Sequence, residues 1–280
     1  MTGAFVPDTQ MLKELPRTLR LDVLDVTAKW GGHVSSCFSA VEILTAIYFG
    51  GILRYRPAEP DWSQRDRFIL SKGHAAPLFY AVLARAGYAP LAELQKFRQL
   101  SGGLHGHPIA GTFPGVEMTS GSLGQGLSFG LGAILAGRLS GFDYRVYVLL
   151  GDGECEEGQI WEAAMAAAHW QADRLIAIVD HNKYQQTGPI SREMSLAPFA
   201  GKWRAFGWQA AEVDGHDVAA VVAGLQGLIA WQDSHRAPAV LIAHTVKGKG
   251  VSFIERDYTF HGRSLSPEQD AAARKEIRCN

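Results

Sequence analysis

One aspartate in the sequence lies between two glycines, directly after a strongly apolar run. It is Asp152 in Gly151-Asp152-Gly153, and residues 146–150 before it are all apolar. Glycines let the backbone approach phosphate groups closely, and the N-terminus of a following helix favours negative charge. Asp152 is therefore either an ordinary turn residue between a strand and a helix or a ligand for a hard cation.

A second oxygen donor follows the next apolar run. Residues 175–179 lead into Asp180-His181-Asn182, and the interval after Gly153 has room for one helix and one strand. Ligands of open parallel sheets bind beyond the carboxyl ends of the strands, so Asp152 and Asn182 converge if their strands are neighbours. A carboxylate and an amide oxygen suit Mg²⁺ when phosphate oxygens complete its shell. The pair predicts a site for Mg²⁺ and a diphosphate.

Several histidines stand at glycine-rich turns, where imidazole can donate, accept or move a proton near neutral pH. Each could instead be an ordinary structural residue. The turns are Gly32-His33, Ser71-Lys72-Gly73-His74-Ala75, Gly106-His107-Pro108 and His261-Gly262.

Other histidines and two lysines carry weaker signals. Lys247 and Lys249 lie in a glycine-containing segment, but it lacks the spacing and the Ser or Thr of a P-loop. We expect both lysines to be loop charges near the domain edge. Structural or outer positions are expected for His105, His181, His216 and His244.

The elements that must position these residues alternate along the chain. Apolar spacing predicts helices over 8–30, 40–49, 75–85, 159–170 and 218–231, and strands over 67–70, 145–150, 175–179 and 239–245. This order is typical of an α/β fold with an open, mostly parallel sheet and helices on both faces. We treat 1–280 as a single domain whose more polar C-terminal arm, about 255–280, packs on a neighbour.

Composition excludes several classes of protein. The 280-residue chain has a formal net charge of −1, which argues against nucleic-acid binding. Three cysteines without paired spacing argue against a disulfide framework or a thiolate zinc site. The N-terminus has no uninterrupted apolar core of a signal peptide, and the apolar stretch 123–139 is short for a membrane span. We expect a cytoplasmic protein that does not bind a membrane.

The histidine turns, the Asp152 and Asn182 pair and the run Gly121-Ser122-Leu123-Gly124-Gln125-Gly126 resemble, in order, the motifs of the transketolase family. The resemblance covers essentially the whole chain and implies the thiamine diphosphate-binding fold, here its diphosphate-binding domain. In that family a pyrimidine-binding domain and a C-terminal domain usually follow. The chain thus looks like the N-terminal subunit of a split transketolase in an α2β2 assembly, whose partner carries the cofactor-activating glutamate.

The resemblance also implies residue roles. The cofactors would be thiamine diphosphate and Mg²⁺, with Ca²⁺ or Mn²⁺ as possible replacements. Residues implied in cofactor and metal binding are Asp152, Asn182 and the Tyr184 carbonyl for the metal, Gly151, Gly153 and His74 for the diphosphate, and Gly121, Ser122 and Leu123 for the pyrimidine side. His33 and His261 would face both substrate and cofactor, and His107 the donor's first hydroxyl. Glu157 would lie near the subunit interface and link paired sites.

The implied reaction moves a two-carbon ketol unit from a ketose or ketose phosphate to an aldose. Two alternatives stay open: the α subunit of a 2-oxo acid dehydrogenase, which is not expected to have this histidine set, and a non-catalytic scaffold that has kept the fold. Two departures from the family pattern are Ser122, where many single-chain transketolases have proline, and the residues around Asn182.

Overall fold

The computed structural model describes residues 8–100 and 102–279. Met1–Pro7 and Asn280, the two ends of the predicted domain, lie outside the described residues. The described chain contains a five-stranded sheet in the order β1-β2-β3-β5-β4, and every neighbouring pair is parallel. Its strands are β1 (Arg67–Leu70), β2 (Val146–Gly151), β3 (Leu175–His181), β4 (Gln209–Asp214) and β5 (Ala239–His244).

Helices cover both faces of the sheet. They are α1 (Thr9–Thr27), α2 (Val34–Phe38), α3 (Val41–Phe49), α4 (Ala76–Arg85), α5 (Gln125–Leu139), α6 (Gly158–His169), α7 (Ile190–Glu193), α8 (Phe199–Ala205), α9 (Val218–Gln232) and α10 (Pro267–Cys279). Short 3₁₀ turns follow β1 and β2, at Gly73–Ala75 and Gly153–Glu156.

The central strands are apolar along their whole length because both of their faces are buried. Tyr147 and Leu149 of β2 face a core formed with α1, α3, α4 and α9. Val146 and Val148 alternate with them and face the second core, formed with α5, α6 and α8. This double burial confirms the predicted fold class and explains why continuous apolar runs marked these strands.

The structure adds one strand that the sequence did not predict and shows where the C-terminal helix lies. β4 was not predicted, because this edge strand is only half covered and its sequence mixes polar and small residues. The helix α10 of the C-terminal arm packs on α1 of the same chain, where Arg274 pairs with Asp25 at 2.6 Å, and packing of the arm on a neighbouring chain stays a prediction. Within α10, Ala273 and Ile277 are buried.

None of the helices in the described ranges is both long enough and apolar enough to cross a membrane.

Candidate active site

The carboxyl ends of four parallel strands bring the predicted residues to one edge of the sheet. β2 and β3 are hydrogen-bonded neighbours, with Gly151 in register with Asp180. Asp152 and the loop after Asn182 meet directly, because the backbone N–H of Lys183 donates to Asp152 Oδ2. Asn182 Oδ1 accepts from the Tyr184 N–H at 3.0 Å. The condition set by the sequence, that the two strands be neighbours, is met.

Asp152 is a buried acid that forms no ion pair with any of the described residues. Its exposed fraction is 1%, and burial together with the Asp180 carboxylate raises the pKa of the Asp152 carboxyl to about 7. A divalent cation would favour the ionised form. Within 8–100 and 102–279, no three His, Cys, Asp or Glu side chains gather around a possible metal position. A cation at Asp152 would therefore depend on the oxygens of Asn182 and Tyr184 and on phosphate, a donor set that fits Mg²⁺.

The four histidines singled out from the sequence form one cluster. The ring centre of His33 lies 5.3 Å from that of His74, 6.0 Å from that of His107 and 5.3 Å from that of His261. His74 and His261 are 5.1 Å apart. Residues separated by more than two hundred positions thus line a single cleft.

The local environment keeps these imidazoles neutral. Burial, with a smaller effect of His107, lowers the pKa of His33 to about 4, and burial with the Lys247 charge lowers the pKa of His261 to about 3. Burial, followed by the Lys72 charge, holds the pKa of His74 well below its usual value. His33 Nδ1 is buried and finds no hydrogen-bond partner in the part of the chain that the structure describes. A buried ring nitrogen of this kind is suited to a bound ligand.

A buried ion pair beneath the cluster was missed in the sequence. Lys72 Nζ contacts Asp180 Oδ2, and both side chains are almost fully buried. Although burial opposes ionisation, the Lys72 ammonium holds the pKa of Asp180 below its usual range. Ser39 and Thr245 also donate to the Asp180 carboxylate. The sequence contained one sign of this ion pair, because Asp180 is a charged residue near the end of a strand, β3, that is buried on both faces.

The expectation for Lys247 was wrong. This side chain is only 1% exposed, with its Nζ 3.1 Å from His261 Nδ1 and 3.2 Å from Ser36 Oγ. Burial and the nearby Lys72 charge lower its pKa to about 8. The loop that carries Lys247 turns back from the end of β5 toward the histidines. This path depends on tertiary contacts and could not be predicted from the sequence. Lys249, in contrast, is 42% exposed, as expected of a loop charge.

Glu154, which the sequence analysis also missed, joins the glycine-rich turn before α5 to the end of β2. Its carboxylate is buried and accepts from the backbone N–H groups of Gly124 at 2.9 Å and Gly151 at 3.0 Å, and from the Ser71 hydroxyl. A glutamate two residues after a glycine-flanked aspartate is the trace of this role in the sequence.

The remaining predicted positions lie at the rim of the cleft. Gly121 has a φ of +138° and lies against the His107 ring, a backbone conformation that favours glycine. Ser122 is exposed and Leu123 half-buried. Glu157 is exposed next to Gly124, outside the histidine cluster.

Comparison with known proteins gives one consistent family. Residues 9–280 match the family model described as "Transketolase, thiamine diphosphate binding domain". The chain is 38% identical over 267 residues to a 6-deoxy-6-sulfo-D-fructose transketolase subunit of Clostridium sp. (strain MSTE9), covering 95% of this chain and 96% of that one. It is 40% identical over 272 residues to the transketolase of Pongo abelii, covering 95% of this chain but 42% of that one.

A solved structure agrees. The transketolase from Campylobacter jejuni superposes with a TM-score of 0.88 at 29% identity, over 97% of this chain and 43% of that one. The strand-edge acids, the histidine cluster and these matches lead to one conclusion: the chain belongs to the transketolase family and corresponds to its thiamine diphosphate-binding domain.

Proposed function

We propose that this chain is the N-terminal subunit of a thiamine diphosphate- and Mg²⁺-dependent transketolase. With a separate C-terminal subunit, it would transfer a two-carbon ketol unit from a ketose or ketose phosphate to an aldose. The observation that carries the proposal is the convergence of His33, His74, His107 and His261 beside the strand ends of Asp152 and Asn182.

The cofactor contacts follow from the strand edge. Asp152, Asn182 and the Tyr184 carbonyl would hold Mg²⁺, which would neutralise diphosphate charge, and Ca²⁺ or Mn²⁺ could replace it. Placement of Gly151, Gly153 and His74 near these groups supports contact with the diphosphate. Residues proposed for the pyrimidine side are Gly121, Ser122 and Leu123, with Glu157 linking paired sites through the subunit interface.

The histidines would handle the sugar. When bound, thiamine diphosphate supplies a carbanion-stabilising centre. The lowered pKa values of His33 and His261 leave both rings neutral near pH 7, so each would offer one N–H donor and one accepting nitrogen to the donor's hydroxyl groups. His107 would bind the first hydroxyl, and the buried walls would limit access of water to the reacting carbon.

A partner chain would complete the site. The subunit-type relative has nearly the length of this chain, whereas the single-chain transketolase is more than twice as long. This supports a C-terminal partner with the pyrimidine-binding domain and the activating glutamate, in an α2β2 assembly. Cytoplasmic location is part of the proposal and rests on the three free cysteines.

Reconstitution tests the function. The chain and its partner, mixed with thiamine diphosphate and Mg²⁺, should transfer a ketol unit from a ketose phosphate such as xylulose 5-phosphate to an aldose phosphate. The products can be separated by chromatography. The same mixture should not release CO₂ from a 2-oxo acid; decarboxylation without ketol transfer would instead identify a dehydrogenase subunit. A pair that binds the cofactor but turns over neither substrate would indicate a scaffold.

A further inference from the structure

A second cluster of buried charges lies away from the histidine cleft, beside a cavity of about 780 Å³. Glu42 of α3 and Arg20 of α1 are 6% and 7% exposed, and their side chains pair at 2.8 Å. The ring of His216, in the turn after β4, places Nδ1 3.0 Å from the same carboxylate. Glu42 is thus the shared partner of a cation and an imidazole.

Arg20 and His216, the two partners of Glu42, also form hydrogen bonds with the backbone of residues 246–250, which we call the 246–250 loop. Arg20 Nε donates to the Lys249 carbonyl at 2.9 Å. The Val246 N–H donates to His216 Nε2 at 2.8 Å. Since that nitrogen accepts, the proton of a neutral His216 lies on Nδ1, which donates to Glu42. The loop is held on both sides of Lys247.

Two glycines shape the backbone of the 246–250 loop. Gly248 and Gly250 have φ values of +80° and +95°, so the backbone makes two left-handed turns within three residues. Gly248 is anchored by its N–H, which donates to the Ser35 carbonyl at 2.9 Å. Lys247, between these anchors, projects its ammonium to His261 at 3.1 Å.

We propose that Glu42 is a positioning residue: through Arg20 and His216 it fixes the 246–250 loop and thereby holds the Lys247 ammonium against His261. The inference rests on the proposed function, in which His261 exchanges protons with the donor sugar. Glu42 itself would touch neither substrate nor cofactor.

A purely structural ion pair would not require this arrangement. Buried ion pairs contribute little net stability compared with well-packed apolar residues. Replacing Arg20 and His216 by apolar residues, however, would remove the donor to the Lys249 carbonyl and the acceptor of the Val246 N–H. The polar side chains of this cluster therefore satisfy the loop backbone as well as one another.

The test follows the titration of His261 by NMR of the full chain with labelled histidine rings, assigned with a His261→Gln variant. In the wild type this ring, which faces His33, His74, Lys72 and Lys247, should stay neutral down to pH 5. In Glu42→Gln the pKa of His261 should rise above the wild-type value, because Lys247 is no longer held beside it, while burial, the larger cause, still keeps it below 6.5. Arg20→Lys should have the same effect, since it keeps the charge opposite Glu42 but loses the contact with Lys249.

The matched control is Asp22→Asn, which weakens the Asp22–Arg85 ion pair on the same helix α1. It should lower the melting temperature without moving the His261 titration. If Glu42→Gln fails to fold, Arg20→Lys provides the same measurement. Variants that are destabilised but titrate like the wild type would overturn the positioning role.

An activity measurement separates this proposal from the proposed function. In the assembled enzyme, Glu42→Gln should lower kcat about tenfold or more with little change in the donor KM, since misplaced groups mainly cost turnover. If the wild-type pair shows no ketol transfer while the NMR shifts appear, the function is wrong and the positioning role stands. If transfer occurs but the variants titrate like the wild type, the positioning role is wrong.

Discussion

At the residue scale, two buried lysines lie close to the histidine cluster but have different partners. Lys72 donates to the Ser36 carbonyl at 3.2 Å, and Lys247 donates to the hydroxyl of the same residue at 3.2 Å. Lys72 pairs with Asp180, whereas the contacts of Lys247 are Ser36 and His261. Lys247 therefore acts electrostatically on His261 and favours its neutral form.

Replacing Lys247 should change the titration of His261. Lys247→Met should raise the His261 pKa above about 3, because a neighbouring positive charge is removed, while burial still keeps it below 6.5. NMR of labelled histidine rings measures the shift. Lys249→Met, a change at a half-exposed lysine of the same loop, should leave this titration unchanged. An unaltered His261 in Lys247→Met would mean that burial alone lowers the pKa.

Asp152 should control metal-dependent cofactor binding. Asp152→Asn removes the charge while keeping the size of the side chain, so Mg²⁺-dependent binding of thiamine diphosphate should disappear with the fold retained. Calorimetry of the assembled pair measures binding, and circular dichroism measures the fold. Asp61→Asn, at an exposed position, is the control. Unchanged cofactor affinity in Asp152→Asn would contradict the assignment.

The difference in folding stability between the wild type and Asp152→Asn should depend on pH. The folded pKa of Asp152, about 7, lies above its ordinary value of 3.8, so the folded chain binds this proton more tightly than the unfolded chain. Without metal, the stability of the wild type relative to Asp152→Asn should therefore be highest at pH 4. It should fall by at most about 1.4 kcal/mol per pH unit up to pH 7. Denaturant unfolding of both proteins measures the difference, and a constant or rising value would refute the shift.

At the element scale, the turns after β1 and β2 and the glycine-rich turn before α5 are joined by one side chain. Glu154 accepts from Ser71, Gly124 and Gly151, one residue from each of these turns. The local sequence of each turn sets its shape, but their relative positions depend on this carboxylate. Cofactor binding should therefore be sensitive to a residue that need not contact the cofactor.

Glu154→Ala should destabilise the protein and weaken cofactor binding together. Two buried backbone N–H groups would lose their acceptor, which we expect to lower the free energy of unfolding by about 2–4 kcal/mol. Denaturant unfolding measures this change. Glu162→Ala, on the exposed face of α6, should stay within about 0.5 kcal/mol of the wild type. Equal stability of the two variants would show that Glu154 does not join the turns.

At the scale of the whole molecule, the candidate site lies at one edge of a single sheet. The chain matches less than half of a single-chain transketolase but nearly all of a transketolase subunit. The proposed reaction therefore depends on a surface that another chain would complete.

The assembly can be measured directly. Light scattering after size-exclusion chromatography should give a complex with the mass of two copies of this chain and two of its partner. This chain alone, with thiamine diphosphate and Mg²⁺, should show no ketol transfer, and adding the partner should start it. Turnover by the isolated chain would rule out the need for a partner.

The sequence by itself determined what is local. The strands of the sheet centre were predictable because burial on both faces requires continuous apolar residues, and the histidine turns because their glycines mark strand and helix ends. β4 was missed because an edge strand is half exposed and does not need such a run. The closeness of Asp152 and Asn182 was predictable only on condition that their strands pair.

Tertiary structure decided the contacts between distant side chains. Whether Lys247 is a surface charge or a partner of His261 depends on how the 246–250 loop folds back from β5, and that path involves contacts with residues distant in sequence such as Arg20, Ser35 and His216. The burial of Lys72 with Asp180 likewise depends on β1 and β3 lying on either side of β2. Local sequence patterns report the burial of an element but not which charges meet, because those interactions form only when separate elements pack together.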